Sequence, residues 1–152
     1  MASQQPYVAV VGAGDADAAQ ERAAEEVGHE LATAGAVVVC GGLGGVMAAA
    51  CRGAREAGGL TLGLLPGSDR SAGNPWLTVA VATGMGELRN GLVARASDGL
   101  VAVGGGFGTL SEIALALKLG RPVVGVGTWD IAAPLVRIDD PRAAARRLLE
   151  LV

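Results

Sequence analysis

Aromatic side chains make up only 3% of this 152-residue chain, so ring stacking cannot build its core, which falls to Val, Leu and Ala. A single histidine, His29, excludes a His-rich metal centre and argues against a Ser-His-Asp triad. The two cysteines, Cys40 and Cys51, show neither metal-ligand spacing nor a disulfide framework. With no helper histidine beside it in sequence, Cys40 reads as a small buried residue rather than a nucleophile. Basic residues do not dominate: 12 Lys and Arg against 15 Asp and Glu leave a net charge of −3. That gives no electrostatic footprint for nucleic acid. No apolar run approaches the roughly 18 residues that span a bilayer. The opening Met1-Ala-Ser-Gln-Gln-Pro6 has neither the basic n-region nor the apolar h-region of a secretory signal. A cytoplasmic, reduced protein with no membrane or nucleic-acid partner is the expectation.

What is abundant is glycine, 25 residues of it, in a chain that is 51% hydrophobic. The glycines stand at the ends of apolar runs rather than in a tract, which marks turns rather than disorder. Short Val-rich runs at 7–11, 36–40, 60–65, 77–82, 100–103 and 122–126 read as strands. Helical patterns fall between them, at about 15–34, 45–57, 84–97 and 109–119, and a last helix opens at Asp140-Pro141 with Asp as N-cap and Pro at N1. Strands alternating with helices imply a mostly parallel sheet covered on both faces. The expectation is a single doubly wound, Rossmann-like α/β domain over residues 1–152, with 1–6 disordered.

In such a fold ligands lie beyond the carboxyl ends of the strands, near a switch point. Three strand ends carry glycine: Gly12-Ala-Gly14, Gly41-Gly-Leu-Gly-Gly45 and Gly104-Gly-Gly-Phe-Gly108. The first is not a dinucleotide fingerprint, because Asp17 stands where a Gly or Ala is wanted and the second strand ends in Cys40-Gly41 rather than in an acid. It reads as a tight turn with Asp15 or Asp17 capping the helix, or as a turn whose backbone contacts a ligand directly. The second lacks the Lys-Ser/Thr pair of a Walker loop, which disfavours ATP hydrolysis with Mg²⁺. The third joins a buried strand to a helix. Its glycines let backbone N–H groups converge and the helix end adds partial positive charge, a combination that suits a phosphate.

Thr109-Leu-Ser-Glu112 reads in two ways. It matches a capping box, in which Thr109 is the N-cap and Glu112 reaches back to it. A carboxylate one turn into a phosphate-binding helix could equally stabilise an oxocarbenium ion or orient water. Upstream, Thr83-Gly-Met-Gly-Glu-Leu-Arg-Asn90 places Arg89 at the margin of a helix whose Met85, Leu88 and Leu92 are expected to pack inward. A guanidinium there would suit phosphate or carboxylate bidentately.

From Val8 to about Trp129 these motifs resemble the Lonely Guy (LOG) family, the "lysine decarboxylase-like" Rossmann proteins, and the related molybdenum-cofactor carrier proteins. The third glycine motif corresponds to the PGGxGTxxE signature of the LOG enzymes. Those enzymes are phosphoribohydrolases that cleave nucleoside 5′-monophosphates to free base and ribose 5-phosphate, without a cofactor. The resemblance implies catalytic roles for Arg89 and Glu112. It implies phosphate binding by Gly105, Gly106, Gly108 and Thr109, supported by Gly42, Gly44 and Gly45, and a homodimer or higher homo-oligomer. The chain has Gly104 where the enzymes have Pro, and Asn90 where they have Lys. Both versions are similar to the branch of the cofactor carriers, for which a phosphorylated pterin, the molybdenum cofactor, is the cargo. The expected ligand is therefore a phosphorylated nucleotide or such a pterin.

Overall fold

The computed structural model describes residues 4–152. Its sheet is seven-stranded, in the order β4-β3-β2-β1-β5-β6-β7. The strands are β1 (Tyr7–Gly12), β2 (Val37–Cys40), β3 (Thr61–Leu65), β4 (Val79–Ala82), β5 (Gly99–Val103), β6 (Val123–Val126) and β7 (Val136–Arg137). Every neighbouring pair is parallel. The helices are α1 (Ala18–Thr33), α2 (Val46–Glu56), α3 (Arg89–Arg95), α4 (Phe107–Lys118) and α5 (Pro141–Leu151). This is the doubly wound, Rossmann-like α/β fold that the alternation of runs implies.

Period-two alternation along the strands divides the core in two. Val8 and Val10 of β1, with Val101 and Val103 of β5, face a layer formed by α1, α2 and α5. Ala9 and Val11, with Leu100 and Ala102, face Val93 and Ala94 of α3 and Ile113 and Ala116 of α4. Both faces of the central strands are therefore buried, which is why they read as continuous apolar runs.

Asp17 caps α1 in a capping box: its Oδ1 accepts from Gln20 N at 2.8 Å and Gln20 Oε1 accepts from Asp17 N at 3.1 Å. Asp140 caps α5 with Pro141 behind it, as the sequence suggests. Two boundaries differ from expectation. No single helix covers 84–97, because Gly84 and Gly86 lie at φ +65° and +57°, outside the right-handed helical region. A 3-10 turn at Gly86–Leu88 leads into α3 instead, and Met85 and Leu88, expected inward, are 43% and 76% exposed. The helix after β5 starts not at Thr109 but at Phe107, with Gly106 as N-cap.

Of the segment expected to be disordered, residues 1–3 lie outside the described residues, whereas residues 5 and 6 are tied to the sheet. Gln5 Nε2 donates to Gly35 O at 2.7 Å, and Pro6 O accepts from Val37 N at 2.9 Å, extending the β1–β2 ladder.

Helices α1 and α2 cross backbone to backbone. A Cβ on Gly28 would lie 2.0 Å from Ala50 O, and one on Gly53 would lie 2.0 Å from Glu25 O. This contact holds the carboxyl ends of β1 and β2 close, where Val46 N donates to Ala13 O at 3.1 Å. Alanine raises intrinsic helix stability by up to about 1 kcal/mol over glycine. Here the clash with carbonyl oxygen outweighs that gain, since overpacking costs about 1–3 kcal/mol. Gly28→Ala and Gly53→Ala should each lower the urea midpoint of unfolding; an unchanged or raised midpoint in both would contradict the close crossing.

Candidate functional site

The chain winds outward from β1 to β4, then returns to place β5 against the other side of β1. That reversal opens a crevice between the carboxyl ends of β1 and β5. Because Gly12 is in register with Val103, the loops that follow, 13–17 and 104–106, leave the sheet at the same height.

The β5–α4 loop is held by its carbonyls. Gly104 O accepts from Thr128 Oγ1 at 2.6 Å, and Gly106 O accepts from Trp129 Nε1 at 2.9 Å and from Leu110 N at 3.0 Å. Gly104 and Gly105 lie at φ +55° and +104°, so the chain reverses where an L side chain would be strained. Among the described residues, the amides of Gly105, Gly106, Phe107, Gly108 and Thr109 have no acceptor. No side chain caps α4. A helix N-terminus left in this state combines unpaired N–H donors with about half a positive charge. Such an end has the donors and the partial charge that suit an anion.

Arg89, the first residue of α3, is buried over the end of β2: a Cβ on Gly41 would lie 2.7 Å from its Nη2. Its Nη1 donates to Asn90 Oδ1, and its Nε is buried with no partner among the described residues. Asn90 Nδ2 donates to Ser111 Oγ at 3.2 Å, and Ser111 Oγ donates to Gly108 O at 2.6 Å. The guanidinium is thus tied through Asn90 to the first turn of α4.

Glu112, one turn further along α4, is 6% exposed and has no hydrogen bond or ion pair among the described residues. Burial pushes its carboxyl up to about 7, with the charge of Arg89 opposing the shift. The capping-box expectation is corrected here. With Gly106 as N-cap, Thr109 is the third helical residue and packs beneath Gly105, so Glu112 has no cap to complete.

Arg89, Glu112, Gly106, Gly108 and Thr109 come together with Gly12, Ala13, Gly14, Asp15, Met47 and Asn90 around a cleft of about 300 Å³. Gly105 precedes this lining directly in the loop. Gly42, Gly44 and Gly45 do not line the cleft. Gly42 packs against Leu65, and Gly45 lies so close to the β1–α1 loop that a Cβ would meet Ala13 O at 2.2 Å. Their part is backbone-on-backbone support. Met47 and Asp15 also line the cleft, although the sequence offers Asp15 only as a candidate helix cap. Asn90 is adjacent to Arg89 in sequence, and that adjacency was the available signal. Cys40 and Cys51 are buried with sulfurs 3.5 Å apart. The hydrogen bond from Cys51 and burial push the Cys40 thiol well above the ordinary range, which suits the buried role over a nucleophilic one.

The sequence profile of the SLOG cluster4 family matches residues 5–146. An uncharacterized protein of Archaeoglobus fulgidus is 44% identical over 119 residues, which is 78% of each chain. Among solved structures, the molybdenum cofactor binding protein from the phototrophic bacterium Rippkaea orientalis is similar with a TM-score of 0.91 at 31% identity, covering 99% of this chain and 98% of that one. The Moco carrier protein from Chlamydomonas reinhardtii is similar with a TM-score of 0.86 at 38% identity, covering 98% and 100%. No helix among the described residues is long and apolar enough to cross a membrane.

The raised Glu112 carboxyl makes stability pH-dependent with a definite sign. The folded chain holds its proton up to about pH 7, against an ordinary value of 4.5. The stabilisation is therefore fully present below 4.5 and is lost as pH rises through 7. Glu112→Gln has no such proton to lose. Its stability relative to the parent should rise by about 3 kcal/mol between acid pH and pH ~8. Denaturant unfolding of both proteins across that range checks this, and parallel profiles would place the Glu112 titration elsewhere.

Proposed function

The chain belongs to the SLOG cluster4 family, and from that premise we propose that it binds and carries a phosphorylated pterin of the molybdenum-cofactor type. The observation that carries the reading is the run of unpaired amides from Gly105 to Thr109 at an uncapped helix end, with the Arg89 guanidinium beside it. A phosphate monoester fits this donor set. The amides of Gly105, Gly106, Gly108 and Thr109 would take its oxygens, and Arg89, with its free Nε, would balance the charge. Gly44 and Gly45 let the β2–α2 turn lie close against the β1–α1 loop, and Gly42 makes room for Leu65. Likeness to proteins described as binding or carrying the molybdenum cofactor supports the choice of cargo.

Two local features favour carriage over glycosidic cleavage. Asn90 binds Arg89 and Ser111, fixing the guanidinium as an anion anchor where the LOG-like enzymes have a second cation. Gly104 stands at φ +55° and donates its N–H to Val126 O at 3.1 Å. Proline, with φ fixed near −65° and no N–H, could do neither, so the loop differs from the Pro-Gly-Gly version. Glu112, half-protonated near neutral pH, can donate a hydrogen bond to the ligand. The same reading places the protein in the cytoplasm, where its thiols stay reduced, as a homodimer or higher homo-oligomer.

Loading the purified protein with molybdenum cofactor, removing free ligand and measuring retained pterin tests the proposal. Retention is expected, and Arg89→Ala should weaken it by about tenfold or more, the range for a charged hydrogen-bond partner. Incubation with AMP and cytokinin-type monophosphates should release no free base. An empty protein after loading would falsify the carrier reading, and base release abolished by Glu112→Gln would restore the hydrolase.

A further inference from the structure

The chain contains one phenylalanine, and the fold leaves it 82% exposed at the first position of α4, directly between two of the unpaired amides. An exposed ring in so aromatic-poor a chain is held there by specific contacts. Trp129 packs against Phe107 with ring centroids 5.7 Å apart, and the same indole donates to Gly106 O. Across from the phosphate cleft, Phe107 lines a second cavity of about 720 Å³ with Leu88, Leu115, Glu87, Asn90 and Ser111. Leu88 is 76% exposed on the 3-10 turn that the glycines at 84 and 86 displace outward. The two cavities share Asn90 and Gly108, so a ligand whose phosphate sits on the amides has its remaining atoms led toward Phe107. One lobe is polar and cationic; the other is apolar with a single acid.

That acid decides which ring fits. Glu87 has no hydrogen-bond or ion-pair partner among the described residues. A carboxylate is an acceptor-only group with two oxygens. It matches a ring edge that presents an N–H and an adjacent amino group, as a 2-amino-4-oxo heterocycle does. Adenine presents one amino group beside a bare ring nitrogen, and that lone pair would face a carboxylate oxygen. Resting on the proposed function, we propose that the cavity between the 3-10 turn and α4 is a ring subsite. In it Phe107, with Leu88 and Leu115, stacks the heterocycle, and Glu87 selects the 2-amino-4-oxo edge of pterin or guanine over adenine.

The test uses a pterin bearing one phosphate ester, GMP, AMP and inorganic pyrophosphate as probes, with affinity read by calorimetry. The pterin ester and GMP should bind at least about tenfold more tightly than AMP, since a site built around a substrate's donors rejects the analogue that lacks them. Glu87→Gln should collapse that preference, because the amide offers only one acceptor. Phe107→Ala should weaken the ring-bearing probes by about tenfold while leaving pyrophosphate unchanged, in line with the worth of one aromatic stacking contact. Phe107→Trp should restore affinity. Equal affinity of the parent protein for GMP and AMP would overturn the inference. So would a Phe107→Ala variant that binds every probe normally but changes its sedimentation behaviour, which would make this face an interface between copies. Failure of the parent protein to bind any of the four probes, pyrophosphate included, would instead overturn the proposed function on which the subsite rests.

Discussion

Two carbonyls of the β5–α4 loop, those of Gly104 and Gly106, are held by the segment after β6, and the shape of the site follows from that constraint. Thr128 holds Gly104 O, while Trp129 and Leu110 hold Gly106 O. A peptide unit whose oxygen is fixed on one side presents its N–H on the other. The amides of Gly105 and Phe107 are thus oriented by Thr128 and Trp129, and those of Gly108 and Thr109 by the first turn of α4. Glycine at 104 and 105 makes the required reversal possible, and the loop after β6 makes it permanent. This explains why a stretch with no charged side chain of its own can be the anion-binding element.

Charge in the crevice is arranged in the same economical way. Arg89 is buried with an unpartnered Nε, a costly condition unless something fills it. Glu112 stands near it but forms no ion pair, and burial keeps its proton to about pH 7. Were Glu112 fully ionised, it would cancel the guanidinium and leave the crevice neutral. Protonated, it leaves the Arg89 charge and the helix end uncancelled by Glu112, with Asp15 the other carboxylate at the cleft. Asn90 takes one guanidinium arm and Ser111 takes Asn90. The cation is thereby linked to the first turn of α4 as well as to its own helix.

Much of the fold was legible because its signals are local. Valine runs ending in glycine gave the central strands, and Asp17 and Asp140 gave their helix caps through elementary hydrogen-bond chemistry. The cleft-lining residues Arg89, Glu112 and Thr109 were legible as motif positions. What failed was inference that needed backbone angles. Thr109-x-x-Glu112 has the letters of a capping box, yet the helix starts at Phe107 because Gly106, extended at φ −104°, serves as N-cap with no side chain at all. Likewise Gly84 and Gly86 read as tolerable within a helix, and their positive φ values in fact delay it to Arg89. The α1–α2 crossing through Gly28 and Gly53 was illegible for a different reason, since it joins residues far apart in sequence.

The division of labour among the three glycine turns resolves along the same line. They look alike as sequence, yet only the β1 and β5 turns border the cleft, because the switch point lies between those strands. The β2 turn is one strand removed. Its glycines admit close contacts instead: Gly45 accommodates the carbonyl of Ala13, and Gly42 accommodates Leu65. A Cβ at 45 would collide with the β1 turn, 2.2 Å from Ala13 O and 2.6 Å from Gly14 O. Glycine content in this chain is therefore not a measure of ligand contact. Position relative to the switch point decides which glycine meets a ligand and which merely lets the backbone come close.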